Sequence, residues 1–391
     1  MVSGKEPQAA AGRIRYGMVG GGQGAFIGAV HRIAARIDDQ FELVAGAFSS
    51  DPDRSRASGA ELGIDADRVY GTFAEMAEAE ATRDDGIEAV SIVTPNNMHF
   101  PAARAFLDAG IHVICDKPLT ATLEDAKALA GLVENSGKVF VLTHNYSGYP
   151  MIRHARAMVA AGELGALRVV QAEYPQDWLS RNLETTGQKQ AGWRTDPAQA
   201  GVGGSTGDIG THAFHLASFV TGLELDSLSA DLTAFVDGRQ LDDNAHVMMR
   251  FKGGARGMLW SSQVAPGNEN ALKLRVYGEN GGLEWCQEDP NYLWYSPLGE
   301  PKRLITRAGA GSGEAAARVS RIPPGHPEGY LEGFATIYAE AARAIRAARH
   351  GDAPSGEVLF PTVADGLAGV AFVDACVRSS LADGKWVGLD I

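Results

Sequence analysis

The chain is poor in cysteine. Cys115, Cys286 and Cys376 are the only three in 391 residues, and none forms a CxxC pair or a Cys/His ligand spacing. A disulfide framework or a zinc centre is therefore not expected, and no metal site of another kind suggests itself. Long apolar runs are missing too: nothing approaches the 18 or so residues of a membrane span, and Met1–Gly12 has no apolar core of the signal-peptide type. A cytoplasmic location is the resulting expectation. Basic charge is scarce, with 35 Lys and Arg against 48 Asp and Glu and a net charge of −13. That balance opposes a nucleic-acid or anionic-membrane partner, and it requires local donors to hold any anionic cofactor. Internal repeats and low-complexity tracts are also absent.

What is present is an ordinary globular composition, 45% hydrophobic and 21% charged, at a length that suggests two domains. Residues 1–12 read as a disordered lead-in. From residue 14 to about 144, strands and helices alternate. The strands are Ile14–Gly20, Phe41–Phe48, Glu88–Val93, His112–Cys115 and Val139–His144. The helices lie over Gly28–Ile37, from Asp51-Pro52, from a capping box at Thr72–Glu75, over Pro101–Ala109 and from Thr122 to Gly137. The strands are continuous apolar runs, which predicts a parallel sheet covered on both faces.

The second half changes character. After a helix near Met151–Ala161 come strand-like segments at Arg168–Tyr174, Leu228–Phe235, Ala245–Phe251, Arg256–Gln263, Leu272–Gly278, Leu283–Cys286 and Leu293–Ser296. Gly253-Gly254 and Asn280-Gly281 serve as hairpin turns. This pattern predicts an antiparallel sheet, interrupted by a long polar stretch over 175–207 of the functional kind, whose Gln176, Asp177, Trp178, Arg181, Asn182, Trp193 and Arg194 suit a sugar or cyclitol ring, and closed by helices at about 329–349 and 361–381. The expected division is a dinucleotide-binding domain over 13–147 and a substrate-binding and oligomerisation domain over 148–391.

The first strand runs directly into Gly20-Gly21-Gly22-Gln23-Gly24 and then a helix, the context in which glycines let a pyrophosphate approach the backbone. The next glycine, Gly28, comes later than in GxGxxG, so a widened loop is expected. At the tip of the second strand, Ser49 occupies the place where an acidic residue would bind ribose hydroxyls, with Ser50, Asp51 and Arg54 following. This leaves NAD or NADP open, leaning towards tolerance of NADP.

Two further strand ends should face the same crevice: Thr94-Pro95-Asn96-Asn97-Met98-His99 and Cys115-Asp116-Lys117-Pro118. Downstream lies Gly207-Asp208-Ile209-Gly210-Thr211-His212. On a helix, Asp208 and His212 share a face, with His215 close to it. A histidine can take the proton of an alcohol, and a lysine can donate to the same oxygen. Taken singly, each residue has an everyday alternative: a surface salt bridge for Lys117, a capping Asp and a core histidine for the other two.

Together, Thr94-Pro95-Asn96-x-x-His99, Ala109-Gly110-Ile111-His112-Val113, Asp116-Lys117-Pro118 and Asp208-x-x-x-His212 resemble the glucose–fructose oxidoreductase / inositol dehydrogenase / rhizopine catabolism (Gfo/Idh/MocA) family, from about Ile14 to the C-terminus. The resemblance implies an N-terminal Rossmann domain, a C-terminal α+β domain with a large, mostly antiparallel sheet, and a homodimer or homotetramer formed through that sheet. It implies a catalytic triad of Lys117, Asp208 and His212. His212 would be the base, Lys117 would polarise the hydroxyl oxygen, and Asp208 would fix the substrate and the imidazole. Asp116 replaces the family's Glu before the lysine. Ser147 stands where many relatives carry an arginine after the tyrosine, here Tyr146.

Cofactor contacts are expected from Gly20, Gly22, Gln23, Gly24, Ser49, Ser50, Arg54, Thr94, Pro95, Asn96, His99, Asp116 and Lys117. Substrate contacts are expected from Tyr146, Asp177, Trp193, Arg194, His215 and, from a resemblance to a sugar-acting subset, His326. The expected activity is NAD(P)-dependent oxidation of a secondary alcohol of a sugar, glycoside or cyclitol, a small polyhydroxylated substrate. The family also contains NAD-dependent glycosidases that oxidise transiently and dinucleotide-binding regulators without catalysis. A regulator would have no use for a poised base.

Overall fold

A computed structural model describes residues 12–391. The expected lead-in lies, Gly12 apart, outside the described residues. The first layer set alternates β1 (Ile14–Gly20), α1 (Phe26–Ile37), β2 (Phe41–Ala47), α2 (Pro52–Glu61), α3 (Phe73–Ala81), β3 (Ala89–Val93), α4 (His99–Asp108), β4 (His112–Cys115), α5 (Leu123–Ser136) and β5 (Phe140–Leu142). Local chemistry starts the helices where the sequence places them. Asp51 accepts from the backbone N–H of Asp53 and Arg54 at the head of α2, Thr72 and Glu75 form a reciprocal box on α3, and Thr122 caps α5.

The five strands are parallel in the order β2-β1-β3-β4-β5. An isolated parallel bridge pairs Gly46 of β2 with Val69. The order reverses beside β1, and the C-terminal ends of β1 and β3 open there into a crevice.

The chain continues through α6 (Pro150–Ala160), β6 (Leu167–Pro175), α7 (Lys189–Arg194), α8 (Pro197–Ala200), α9 (Thr211–Thr221), β7 (Leu225–Thr233), β8 (Asn244–Phe251), β9 (Arg256–Ser262), β10 (Lys273–Gly278), β11 (Gly281–Cys286), β12 (Tyr292–Pro297), β13 (Arg303–Thr306), α10 (Glu314–Ala317), α11 (Tyr330–Arg349) and α12 (Val363–Leu381). The second sheet has eight strands in the order β13-β12-β11-β10-β6-β9-β8-β7. It is antiparallel throughout except where β6 and β9 run parallel.

Strand β13 was not expected from the sequence, because Arg303–Thr306 is short and half exposed at the sheet edge. The polar stretch over 175–207 holds two short helices, α7 and α8, capped by the side chains of Gln188 and Asp196.

One face of the large sheet packs on α6, α9 and α12 through residues such as Leu274, Trp285, Leu216 and Phe372. The other face leaves Val169, Met248, Met258, Tyr277 and Trp294 exposed. Helix α11 returns to the first sheet. Its Phe334, Ile337, Tyr338 and Ile345 pack with Ile14, Tyr16 and Met18 of β1. A Cβ on Gly148 would lie 2.1 Å from the carbonyl oxygen of Gly333, so these two backbones touch only as glycines. The contact sets α11 under the crevice.

Candidate active site

The crevice opens into a cavity of about 1130 Å³. At one end, the backbone builds it. Gly20 and Gly21 adopt φ of +78° and +71°, conformations that L side chains rarely take. Gly28 closes on Gly21 so tightly that a Cβ there would lie 2.4 Å from the Gly21 Cα. The widened spacing therefore keeps the helix-packing glycine and moves it to position 28.

The N–H of Gly22 bonds the Phe48 carbonyl and that of Gln23 bonds Ser58 Oγ, so neither is free for a ligand. The free donors lie instead at the start of α1. Its N-cap is Ala25, which has no side chain to accept from the first turn, and Phe26 and Ile27 line the cavity. Those unpartnered N–H groups and the positive helix end fit a pyrophosphate. Further along lie Ser49, Ser50 and Arg54, with no carboxylate among them; Asp51 spends its own on capping α2. Thr94, Pro95 and Asn96 close the third side, and Asn96 Nδ2 donates to the Ala200 carbonyl. These residues fit a dinucleotide whose 2′ position is not guarded by negative charge.

Two expected cofactor contacts fall elsewhere. Gly24 is at the loop tip outside this cavity, on a smaller cleft. His99 is buried with its ring nitrogens against the carbonyls of Pro118 (2.7 Å) and Thr94 (3.0 Å). It staples the two strand-end loops together.

The middle of the cavity holds the titratable groups. Asp116 Oδ1 accepts from Thr143 Oγ1 (2.8 Å) and from the Lys117 N–H (3.0 Å). Burial alone would raise its carboxyl; the hydrogen bonding and charge of His31, with Lys117 and His99, outweigh it and hold the group below the usual range. Lys117 Nζ reaches both the carbonyl oxygen (2.6 Å) and Oδ1 (2.8 Å) of Asp208. Asp208 Oδ2 accepts from Arg194 Nε (3.2 Å) and Gln263 Nε2 (2.9 Å). Burial again opposes ionisation, and Lys117 and Arg194 overcome it, so Asp208 is held ionised.

Residues 206–210 form a π-turn that runs into α9, a widened geometry frequent at functional sites. The Asp208 carbonyl in this turn accepts from the lysine. Asp242 fixes the start of this turn, accepting from the N–H groups of Gly204 (2.7 Å) and Thr206 (2.8 Å) and from the Thr206 hydroxyl.

His212 lines the cavity beside this pair. Its imidazole bonds His144, not Asp208 as expected from the shared helical face. Burial, then the Lys117 charge, push its pKa well below the ordinary value against the pull of Asp208 and Asp116. It is a neutral imidazole at neutral pH. His215 does not reach the cavity. It lies behind, stacked on His144 at 4.4 Å between centroids, because three residues on from His212 the helix points it into the core.

The far end is a wall of side chains. Tyr146 OH meets Tyr174 OH at 2.5 Å, and Tyr174 donates to Asn270 Oδ1 (2.7 Å). Gln176 Nε2 donates to the same Oδ1 (2.7 Å), and Asn270 Nδ2 donates to Gln287 Oε1 (2.9 Å). Trp178, Trp193, Arg194 and Tyr330 complete the wall, with the Arg194 guanidinium 4.2 Å from the Trp193 ring centre.

Two expected contacts are corrected. Asp177 points away and accepts from the Gly267 N–H (3.2 Å). His326 is exposed on a turn and does not line the cavity; its carbonyl and that of Pro323 accept from the buried Arg307. Ser147 is buried with its hydroxyl on the His144 carbonyl, so it offers nothing in place of an arginine. Tyr174, Gln263, Asn270, Gln287 and Tyr330 were not among the expected site residues. Gln176 and Trp178 sit in the polar stretch already suspected of function, whereas Asn270, Gln287 and Tyr330 carry no local motif.

The first layer set, residues 14–144, matches the family model of the oxidoreductase family with an NAD-binding Rossmann fold. Residues 152–284 match the GFO/IDH/MocA C-terminal domain. The chain belongs to the Gfo/Idh/MocA family. It is 62% identical to an oxidoreductase from Sinorhizobium meliloti of known crystal structure, with a TM-score of 0.88 and coverage of 96% of this chain and 99% of that one. It is 39% identical to an inositol dehydrogenase homolog from Azotobacter vinelandii crystallised with NADH and myo-inositol, with a TM-score of 0.90 and coverage of 97% and 98%. Over 378 residues it is 35% identical to the uncharacterized oxidoreductase YfiI of Bacillus subtilis, covering 96% of each. This Gfo/Idh/MocA protein is thus an NAD(P)-dependent oxidoreductase, and its cofactor is NAD or NADP.

Proposed function

We propose that the enzyme oxidises a secondary alcohol of a neutral sugar, glycoside or cyclitol, or reduces the matching ketone. The observation that carries this reading is the seat of Lys117. Its ammonium is held by Asp208 in the cavity that His212, the backbone-lined glycine loop and the amide and tyrosine side chains also line. Amides and phenols offer donors and acceptors without net charge, and the cations Lys117 and Arg194 are both paired to Asp208, with the second carboxylate Asp116 beside Lys117. A polyhydroxylated ring suits such a wall better than a sugar acid or phosphate. The myo-inositol bound by the Azotobacter relative supports the same class.

When bound, the nicotinamide supplies the hydride chemistry. The chain supplies the proton chemistry and the positioning. Lys117 donates to the substrate oxygen and stabilises its developing charge. His212 accepts the hydroxyl proton. Asp208 orients Lys117, and the Tyr146–Tyr174–Asn270 wall orients the ring.

We also place the domain boundary at 147/148, the assembly as a homodimer or homotetramer, and the location in the cytoplasm. The exposed Val169, Met248, Met258, Tyr277 and Trp294 on the open face of the second sheet support an interface there. Among the described residues no helix is long and apolar enough to cross a membrane.

The test is Lys117→Ala and His212→Ala, assayed for turnover and, by fluorescence titration, for dinucleotide binding. Each should lower kcat by about a thousandfold or more while dinucleotide affinity stays within severalfold. Turnover near wild type in both variants would overturn the assignment.

A further inference from the structure

A base needs a bare nitrogen facing its substrate. For His212 to accept a proton on Nε2, the ring's own proton must be held on Nδ1. In many active sites a carboxylate does this. Here Asp208, four residues before His212, has both oxygens occupied by Lys117, Arg194 and Gln263. The atom that faces His212 Nδ1 is instead Nδ1 of His144, at 3.4 Å, with the two rings nearly perpendicular at 83°. Two imidazole nitrogens that face each other require one to donate and the other to accept, so the tautomer of one ring dictates that of the other.

His144 is well fixed for this task. It is 1% exposed and lies just beyond β5, next to the Thr143 whose hydroxyl holds Asp116. Its carbonyl accepts from Ser147 Oγ (2.9 Å), and its ring stacks flat on His215, 9° from parallel.

We propose that His144 is the positioning residue of His212: it accepts a hydrogen bond from Nδ1–H of His212 and so leaves Nε2 bare towards the substrate. The inference rests on the reading of His212 as the base. As the substrate O–H bond breaks, its proton goes to Nε2 of His212. The Nδ1 proton stays in its hydrogen bond to Nδ1 of His144, and the positive charge rests on His212 beside Asp208 and Asp116. The C–H electron pair leaves as hydride to the oxidised dinucleotide, the co-reactant of the family's activity. In the direction of ketone reduction the same proton returns from His212 Nε2 to the substrate oxygen.

The surroundings keep the charge on His212. His212 faces the carboxylates of Asp208 and Asp116 as well as Lys117 and His215, whereas His144 faces only His215, His212 and, more weakly, Lys117. Moving the charge to His144 would take it away from both carboxylates. Behind them His215 faces Asp365, Arg153 and Arg156. Burial first, then His215 and His212, push His144 well below the ordinary histidine range, which keeps it a neutral acceptor.

The test uses the full chain labelled with ¹⁵N-histidine, without ligand, at neutral pH. Wild type should show His212 protonated on Nδ1 and bare on Nε2. His144→Phe, which keeps the stack on His215 and removes the acceptor, should convert His212 to the Nε2–H form. His144→Asn, which restores an acceptor oxygen, should return it.

In turnover of myo-inositol with NAD, His144→Phe should lower kcat by about 10–100-fold, with KM and dinucleotide affinity within about twofold. His144→Asn should recover most of the loss. A wild-type His212 protonated on Nε2, or Phe and Asn variants with equal NMR signatures and equal rates, would overturn the proposal. Loss of turnover in His212→Ala with full turnover in His144→Phe would sink this inference alone. Full turnover in His212→Ala would sink the reading of His212 as base, and the tautomer measurement would still decide whether His144 sets the ring.

Discussion

The two ends of the cavity are built by different means. The dinucleotide end is made of backbone: Gly20 and Gly21 at positive φ, Gly28 against Gly21, and the uncapped start of α1. All of it lies within one strand, one loop and one helix. The substrate end is made of side chains from β6, α7, the segments around β10 and β11, and the head of α11, joined into one hydrogen-bonded wall. A backbone cradle tolerates any side chain outside it and fails if a single Cβ enters. A side-chain wall tolerates loss of one member at modest cost and changes what it recognises. Constancy of cofactor and variability of substrate follow from that difference.

The contrast can be broken at either end. The largest effect is expected from Gly28→Ala. The new Cβ would lie 2.4 Å from Gly21, which forces α1 off the loop at a cost of about 1–3 kcal/mol. Dinucleotide affinity should fall by roughly tenfold or more, read by fluorescence titration, with kcat at saturating cofactor far less affected. An unchanged affinity would show that the cradle is not set by this contact.

At the other end, Asn270→Ala removes the node that joins Tyr174, Gln176 and Gln287. It should raise the substrate KM about tenfold with dinucleotide affinity unchanged. A loss of cofactor affinity instead would mean that the two ends are not separable.

Between the ends sit three buried imidazoles, His144, His212 and His215, all with pKa values below the ordinary 6.5, His215 at about 4. Groups depressed in the folded state bind fewer protons there than in the unfolded chain. Folding stability should therefore be level above pH 6.5 and fall as the pH drops from 6.5 towards 4, at up to about 1.4 kcal/mol per pH unit and per group. His99, His112 and His154 add in the same direction, while Asp242, raised by burial, works against it. His215→Phe keeps the stacking and removes one titration, so denaturant midpoints between pH 6.5 and 4.5 should show a shallower slope than wild type. An equal slope would contradict the burial of a neutral ring there.

The smallest effect concerns the choice of dinucleotide. Arg54 lines the adenosine end with Ser49 and Ser50 and no carboxylate. Arg54→Ala should lower affinity for NADP by severalfold and leave that for NAD within about twofold, as measured by calorimetry of each.

This difference also explains what could be read from the chain. The strand–glycine–helix order, the capping residues Asp51, Thr72 and Thr122, and the alternation of buried strands are local, and the structure reproduces them. Lys117, Asp208 and His212 were recognisable because each sits at a strand or helix end inside a short motif. The partners they take up were not. Asp208 was expected to serve the imidazole and instead holds Lys117, because the π-turn and the arrival of Arg194 and Gln263 are tertiary facts. His144 lies in no motif, and nothing near position 144 announces that α9 brings His212 to it. His326 looked like a pocket residue from its segment alone; the turn that carries it is tied to Arg307 and its side chain is exposed outside the cavity lining. Asn270 and Tyr330 are drawn in by sheet register and by the return of α11, neither of which a local pattern encodes.

The central claim is that one cavity brings a dinucleotide and a neutral polyol to Lys117 and His212. Its most direct test is a panel of cyclitols, aldoses, glycosides and sugar acids with NAD and with NADP, followed by near-ultraviolet absorbance of the reduced cofactor. We predict reduction with at least one neutral polyol and little with the sugar acids. No reduction of either cofactor by any neutral polyol, or a clear preference for the acids, would contradict the account.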